Sequence, residues 1–153
     1  MHAEETLKQR SFEAEEGVAM VFKFKSGLVG TFVLSDAVSC PWSFEQGTGV
    51  NPIMPESGQG FLRVMGAKAS LSVGDMERWS YGGTGELTWA NAMGKEGVPV
   101  KKEIPFELQV SHLVKVVRGE EVPVCSGEDG LRALMVCEAV KRSLETGSPV
   151  SVE

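Results

Sequence analysis

The sequence has little of what metal centres and disulfide frameworks are built from. Its three cysteines, Cys40, Cys125 and Cys137, are widely spaced and form no CxxC pair, and its two histidines are His2 and His112. A small, odd, scattered set of this kind predicts reduced thiols, a cytoplasmic protein and no metal site. Long apolar runs are missing too. None approaches the roughly 20 residues of a membrane span, and the opening MHAEETLKQR lacks the apolar core of a secretory signal. Basic charge is short: 15 Lys and Arg stand against 21 Asp and Glu, for a net charge of -6. Beyond the Lys101-Lys102 pair there is no dense basic stripe, which argues against nucleic acid or an anionic membrane as partner. Phosphate-binding glycine loops are absent as well. Gly47-Thr48-Gly49, Gly58-Gln59-Gly60 and Gly82 to Gly85 never complete G-x-G-x-x-G at a strand-to-helix junction. Gly94-Lys95-Glu96 lacks the Ser or Thr that follows the lysine of a P-loop. No cofactor is therefore expected on this chain alone.

What is present is the pattern of an α+β domain. A length of 153 residues suits one core. Residues 1–16 are a polar, acidic N-terminal segment, either a frayed helix or a piece cut from something larger, and 17–153 are taken as a single domain. Over Gly17 to Leu34, Val18, Met20, Phe22 and Phe24 alternate with Ala19, Val21, Lys23 and Lys25, and Ser26-Gly27 supplies a tight turn into Leu28, Gly30, Phe32 and Leu34. Asp36 to Gly60 is irregular, with Pro41, Pro52 and Pro55; a loop of this length is usually functional or disordered. Short strands are predicted over 61–65, 69–73, 76–81, 86–89 and 98–104, punctuated by Gly66-Ala67-Lys68, Gly74-Asp75 and Gly82 to Gly85.

Pro105 can open a helix whose apolar face is Phe106, Val110, Leu113, Val114 and Val117, ended by Gly119. Ser126-Gly127-Glu128-Asp129 has the form of a capping box with Asp in the third position, and Glu128 and Asp129 suit a helix N-terminus. The helix that follows should bury Ala133, Val136, Cys137, Val140 and Leu144. Leu131, Leu134 and Met135 make its first half apolar all round, so that turn should be covered on both sides. Gly147 stops it, and Pro149 to Val152 looks like a returning edge strand. The fold class is α+β: a predominantly antiparallel β-sheet covered on one face by two helices.

Several stretches together resemble the C-terminal domain of Gfo/Idh/MocA oxidoreductases, the glucose-fructose oxidoreductase and inositol dehydrogenase family. They are Gln109 to Gly119 ahead of Glu121-Val122-Pro123; Ser126 to Leu131 followed by Glu138-Ala139 and Ser143; and Thr146-Gly147-Ser148-Pro149-Val150. Upstream, Phe24-Lys25-Ser26-Gly27 resembles the family's hairpin, and Gly66 to Leu71 its glycine-turn strand, with Ala69 where glycine is common. Pro41-Trp42-Ser43-Phe44-Glu45 and Gly49-Val50-Asn51-Pro52 look like a branch acting on sugars or polyols. The family's Glu-Lys-Pro and Asp-x-x-x-His motifs are not found, so the resemblance implies a C-terminal domain alone, beginning after the catalytic segment. It also implies a missing N-terminal Rossmann domain that holds NAD or NADP in the full-length protein, and a homodimer through the sheet face.

The candidate substrate-binding residues are Trp42, Phe44, Glu45, Asn51 and His112. The first four offer flat apolar faces beside hydrogen-bonding groups, as a sugar-like small molecule requires; the plainer account is a loop folded on its own aromatics. His112 could make a polar contact to substrate or be a surface histidine. Arg78, Trp79 and Tyr81 are expected on a sheet surface, and Cys137 in the core. No nucleophile–base pair is visible, so no catalytic residue is assigned. The expected function is a substrate-binding and dimerising domain of an NAD(P)-dependent oxidoreductase; the alternative is a self-standing interaction or scaffold protein.

Overall fold

A computed structural model describes residues 1–10, 13–82, 88–101 and 103–152. Its elements are β1 (His2–Glu5), β2 (Gly17–Lys23), β3 (Val29–Ser35), α1 (Phe44–Thr48), β4 (Leu62–Met65), β5 (Ala69–Val73), β6 (Glu77–Ser80), β7 (Gly94–Gly97), α2 (Pro105–Val117) and α3 (Gly127–Thr146). This is the α+β fold that the sequence predicts. Its strands form two antiparallel sheets, β1-β2-β3 and β4-β5-β6-β7. The chain divides into two compact units, residues 1–39 with 122–153, and residues 40–121.

In the first unit, β2 and β3 form the expected hairpin. Phe24 and Leu28 face each other across the turn, and Gly27 takes φ +89°, which a side chain would resist. The register sets Val18 opposite Leu34, Met20 opposite Phe32 and Phe22 opposite Gly30. The apolar alternation thus lies on one face, as expected. The third strand is not predicted. His2–Glu5 is not a frayed helix but β1, with Ala3 opposite Met20. Ala3, Val18 and Met20 are buried, with Phe22, Val140 and Leu144 packed against them.

Helix α3 begins at the predicted capping box. Ser126 Oγ accepts the N–H of Asp129 at 3.2 Å, and Asp129 Oδ2 accepts the N–H of Ser126 at 3.0 Å. The helix ends at Gly147, φ +61°. Its buried stripe differs from the predicted one. Ala139 and Ser143 are fully buried, while Ala133 and Cys137 are exposed. Two small side chains let the helix axis approach β1 closely, and this turns the helix so that Cys137 faces outward. Leu131 and Leu134 are exposed too, so the apolar first half is not covered on both sides. The returning segment forms no strand. It still closes the edge of β1: the N–H of Val150 donates to the carbonyl of Met1 at 2.8 Å, and the amino group of Met1 donates to the carbonyl of Val150 at 2.7 Å.

In the second unit, β4, β5 and β6 fall where the pattern puts them. The expected strand over 98–104, of which residue 102 lies outside the described residues, is displaced to Gly94–Gly97. Its cause is cross-strand charge: Arg78 pairs with Glu96, and Lys95 donates to Glu77 at 2.6 Å, whereas Pro99 has no N–H to give a ladder. Of the strand expected over 86–89, residues 86 and 87 lie outside the described residues, as do 83–85 of the expected turn; Thr88 and Trp89 enter a turn closed by Asn91 N–H to Thr88 O at 3.2 Å. Helix α2 starts with Pro105 at its first position, as predicted, yet buries none of its residues. Among the described residues no helix is long and apolar enough to cross a membrane.

Candidate functional site

The irregular stretch ahead of β4 contains a short helix that the sequence reading does not foresee. Ser43 caps α1, its Oγ accepting the N–H of Gln46 at 3.2 Å, and Gly49 ends it at φ +66°. Ser57 ties the return: its N–H donates to Gln46 O at 2.7 Å and its hydroxyl to Pro41 O at 2.8 Å. Phe44 meets Phe61 edge to face at 5.7 Å. The loop is thus folded on its own aromatics and backbone, and it presents Trp42, 61% exposed, from that support.

Phe44, Asn51 and His112 are each held by a different contact. Phe44 leans on Phe61, Glu45 lies in the first turn of α1, and Asn51 Oδ1 accepts the N–H of Ile53 at 3.2 Å. His112 belongs to a cluster at the end of α2. There Gly119, φ +74°, reverses the chain, with Gly119 N–H donating to Val116 O at 3.0 Å and Glu120 N–H to Lys115 O at 2.9 Å. This carries Glu121 back along the last turn. Its two oxygens lie 2.7 Å from His112 Nδ1 and 2.7 Å from Lys115 Nζ. The Lys115 ammonium first, and His112 next, hold the Glu121 carboxyl below its usual range, while Glu121 raises Lys115. An ionised carboxylate only accepts, so Nδ1 carries the proton in this pair. The sequence shows no Asp or Cys partner for His112; the signal for Glu121 is the glycine reversal at Gly119.

A further group was missed. The four-stranded register sets Arg63 opposite Ser72, Met65 opposite Ser70, Ser70 opposite Trp79, Ser72 opposite Glu77 and Trp79 opposite Lys95. Directly opposed residues share a face. One side of this sheet therefore carries polar groups and Met65 around a single indole, with Lys95 Nζ 5.7 Å from the ring centroid. It lines an open cavity of about 420 Å³. The other side carries Leu62, Val64, Leu71 and Val73. The sequence reading puts Arg78 and Trp79 on a sheet surface, and both are exposed there.

The chain matches the model of the oxidoreductase family, C-terminal alpha/beta domain, over residues 1–152. The chain belongs to this family. No curated protein and no solved structure matches it. As a Gfo/Idh/MocA C-terminal domain, it calls for a test of whether its residues suit a nicotinamide dinucleotide. Such a cofactor sits on the glycine-rich turn of a parallel βαβ unit. The strand pairs described here are all antiparallel, so the described residues build no such cradle. Among the described residues no three His, Cys, Asp or Glu side chains gather as a metal site. Of the candidate residues in this Gfo/Idh/MocA domain, Phe44 is supported by Phe61 and the His112 imidazole is fixed by Glu121.

Proposed function

We propose that this chain is the substrate-binding and subunit-contact domain of an NAD(P)-dependent oxidoreductase acting on a sugar- or polyol-like hydroxyl, and that it is not catalytic alone. The observation that carries the reading is the family match over residues 1–152. In this reading the dinucleotide is held by a Rossmann domain outside this chain, and the loop of Trp42, Phe44, Glu45 and Asn51 forms one wall of the substrate pocket, with His112 as a further polar contact. The subunit contact falls on the face of the three-stranded sheet turned away from α3. Val21, Val29 and Val33 share that face and are exposed, and apolar patches of this kind are usually covered in an assembly.

Calorimetry with NADH and sedimentation at several concentrations test the proposal. The chain is expected to give no saturable heat with NADH and to dimerise as concentration rises. Tight NADH binding would overturn the first half, and a concentration-independent monomer the second.

A further inference from the structure

We propose that the polar face of the four-stranded sheet is a second ligand site, which takes a neutral, polyhydroxylated ring stacked on Trp79. It is built from residues other than those of the α1 loop, and it does not depend on the oxidoreductase reading. The cavity of about 420 Å³ lies within the span of small-molecule sites, about 300–1,000 Å³. Its walls combine the polar Arg63, Asp75 and Glu77 and two serines with the apolar Met65, Leu71 and Trp79.

Three observations select the ligand. Trp79 is 39% exposed, so part of its ring is open to stacking. Lys95 stands on β7 and outside the cavity walls, and it occupies Glu77 through an ion pair at 2.6 Å. That pair leaves the cavity with one cation and one anion to satisfy, Arg63 and Asp75. Among the described residues neither forms an ion pair or a side-chain hydrogen bond. A guanidinium only donates and a carboxylate only accepts, whereas a hydroxyl does both. A ring of hydroxyls therefore serves Arg63 and Asp75 at once, while its C–H face lies on the indole. An anionic ligand would be opposed by Asp75, and a cationic one by Arg63. The serines add two more groups that donate and accept.

The test is a ¹H–¹⁵N titration of the whole chain with D-glucose, followed at the indole N–H resonances, with D-glucuronate as the charged counterpart. Glucose is expected to move the Trp79 resonance saturably, with a Kd of about 1–10 mM as befits an open site. Glucuronate should bind several-fold more weakly. Arg63→Met and Asp75→Asn should each weaken glucose about tenfold, and both positions are exposed, so these variants keep the fold. A Trp79 resonance unmoved at about 100 mM glucose, or moved equally in Arg63→Met, overturns the proposal. Movement at Trp42 reports on the α1 loop, so the two sites are judged separately.

Discussion

The hydroxyl of Ser143 accepts the backbone N–H of Ala3 at 3.0 Å and donates to the carbonyl of Ser148 at 2.9 Å. One fully buried side chain thus joins the first strand, the last helix and the segment after it. Replacing it leaves the Ala3 N–H without its acceptor in a buried setting. Ser143→Ala is expected to cost about 1–3 kcal/mol, read by urea unfolding. A loss within about 0.5 kcal/mol would mean that β1 is not held this way.

Glu16 is 3% exposed, and its two oxygens are matched to two donors. Gln9 N–H reaches Oε2 and Arg10 N–H reaches Oε1, both at 2.7 Å, with Arg10 Nε 3.7 Å away. Glu16→Gln keeps the shape but turns an NH₂ group toward one of those N–H groups. The variant should lose about 1.5–3 kcal/mol, the range for hydrogen bonds to a charged acceptor. Equal stability by chemical denaturation would count against the pairing.

These two contacts mark where sequence legibility ended. Signals carried by a single residue and its near neighbours were readable: Gly27 and Gly147 in left-handed turns, Pro105 opening α2, and the Ser126–Asp129 box. The pairing faces of β2 and β3 were readable because a period of two admits no other register without exposing Val18 and Met20. What failed depended on contacts that neither a period nor a cap motif carries. Cys137 looked like core because the larger apolar residues define that stripe, whereas small Ala139 and Ser143 decide how α3 approaches β1. Glu16 belongs to the polar, acidic segment 1–16, and nothing in that pattern reveals that Gln9 and Arg10 donate to it. Helix α1 was missed although Ser43-Phe44-Glu45-Gln46 has capping-box spacing, because its five residues include Gly47. In the candidate site the aromatic loop was legible as composition, while the sheet face around Trp79 required a register no local pattern supplies.

Asp129 links α3 to pH. Its carboxyl is held below the ordinary range, first by the backbone N–H of Ser126, then by the Ser126 hydroxyl, with Arg132 adding to both. A carboxyl lowered in the folded state stabilises in full above its unfolded value, about 3.9. That contribution is lost as pH falls toward the lower folded value. The stability gap between the parent chain and Asp129→Asn should therefore be widest near neutral pH and close as the solution is acidified below about pH 4. A gap independent of pH would show that the charge on Asp129 plays no part in the cap.

The cluster on α2 makes an ordered prediction about Glu121. Its carboxyl is lowered by Lys115 first and by His112 second. Lys115→Met should therefore raise the Glu121 titration midpoint more than His112→Ala does, followed by carboxyl ¹³C shifts. The reverse order would make the imidazole the main partner of the carboxylate. Because Glu121 is lowered and Lys115 raised, the pair contributes between their two ranges and is lost at both acid and strongly alkaline pH.

Gly47 tests whether the α1 loop is a preformed wall. A Cβ there would stand 2.7 Å from the carbonyl oxygen of Gln59 and 2.8 Å from Phe61 Cδ1. Alanine improves helix propensity by about 1 kcal/mol, while forcing a methyl into a packed site costs about 1–3 kcal/mol. One of the close neighbours is backbone, which yields little, so the cost should win and Gly47→Ala should be destabilising. The local reading is sharper than the global one. The Phe44 and Phe61 rings, 5.7 Å apart and near perpendicular, must separate, and their ring-current shifts should collapse toward free values. Gly127→Ala, where a Cβ meets nothing within 4 Å, serves as the control and should leave those shifts unchanged. Unchanged Phe44 and Phe61 shifts in Gly47→Ala would mean that the loop is not packed as described, and would remove the support from which Trp42 is presented.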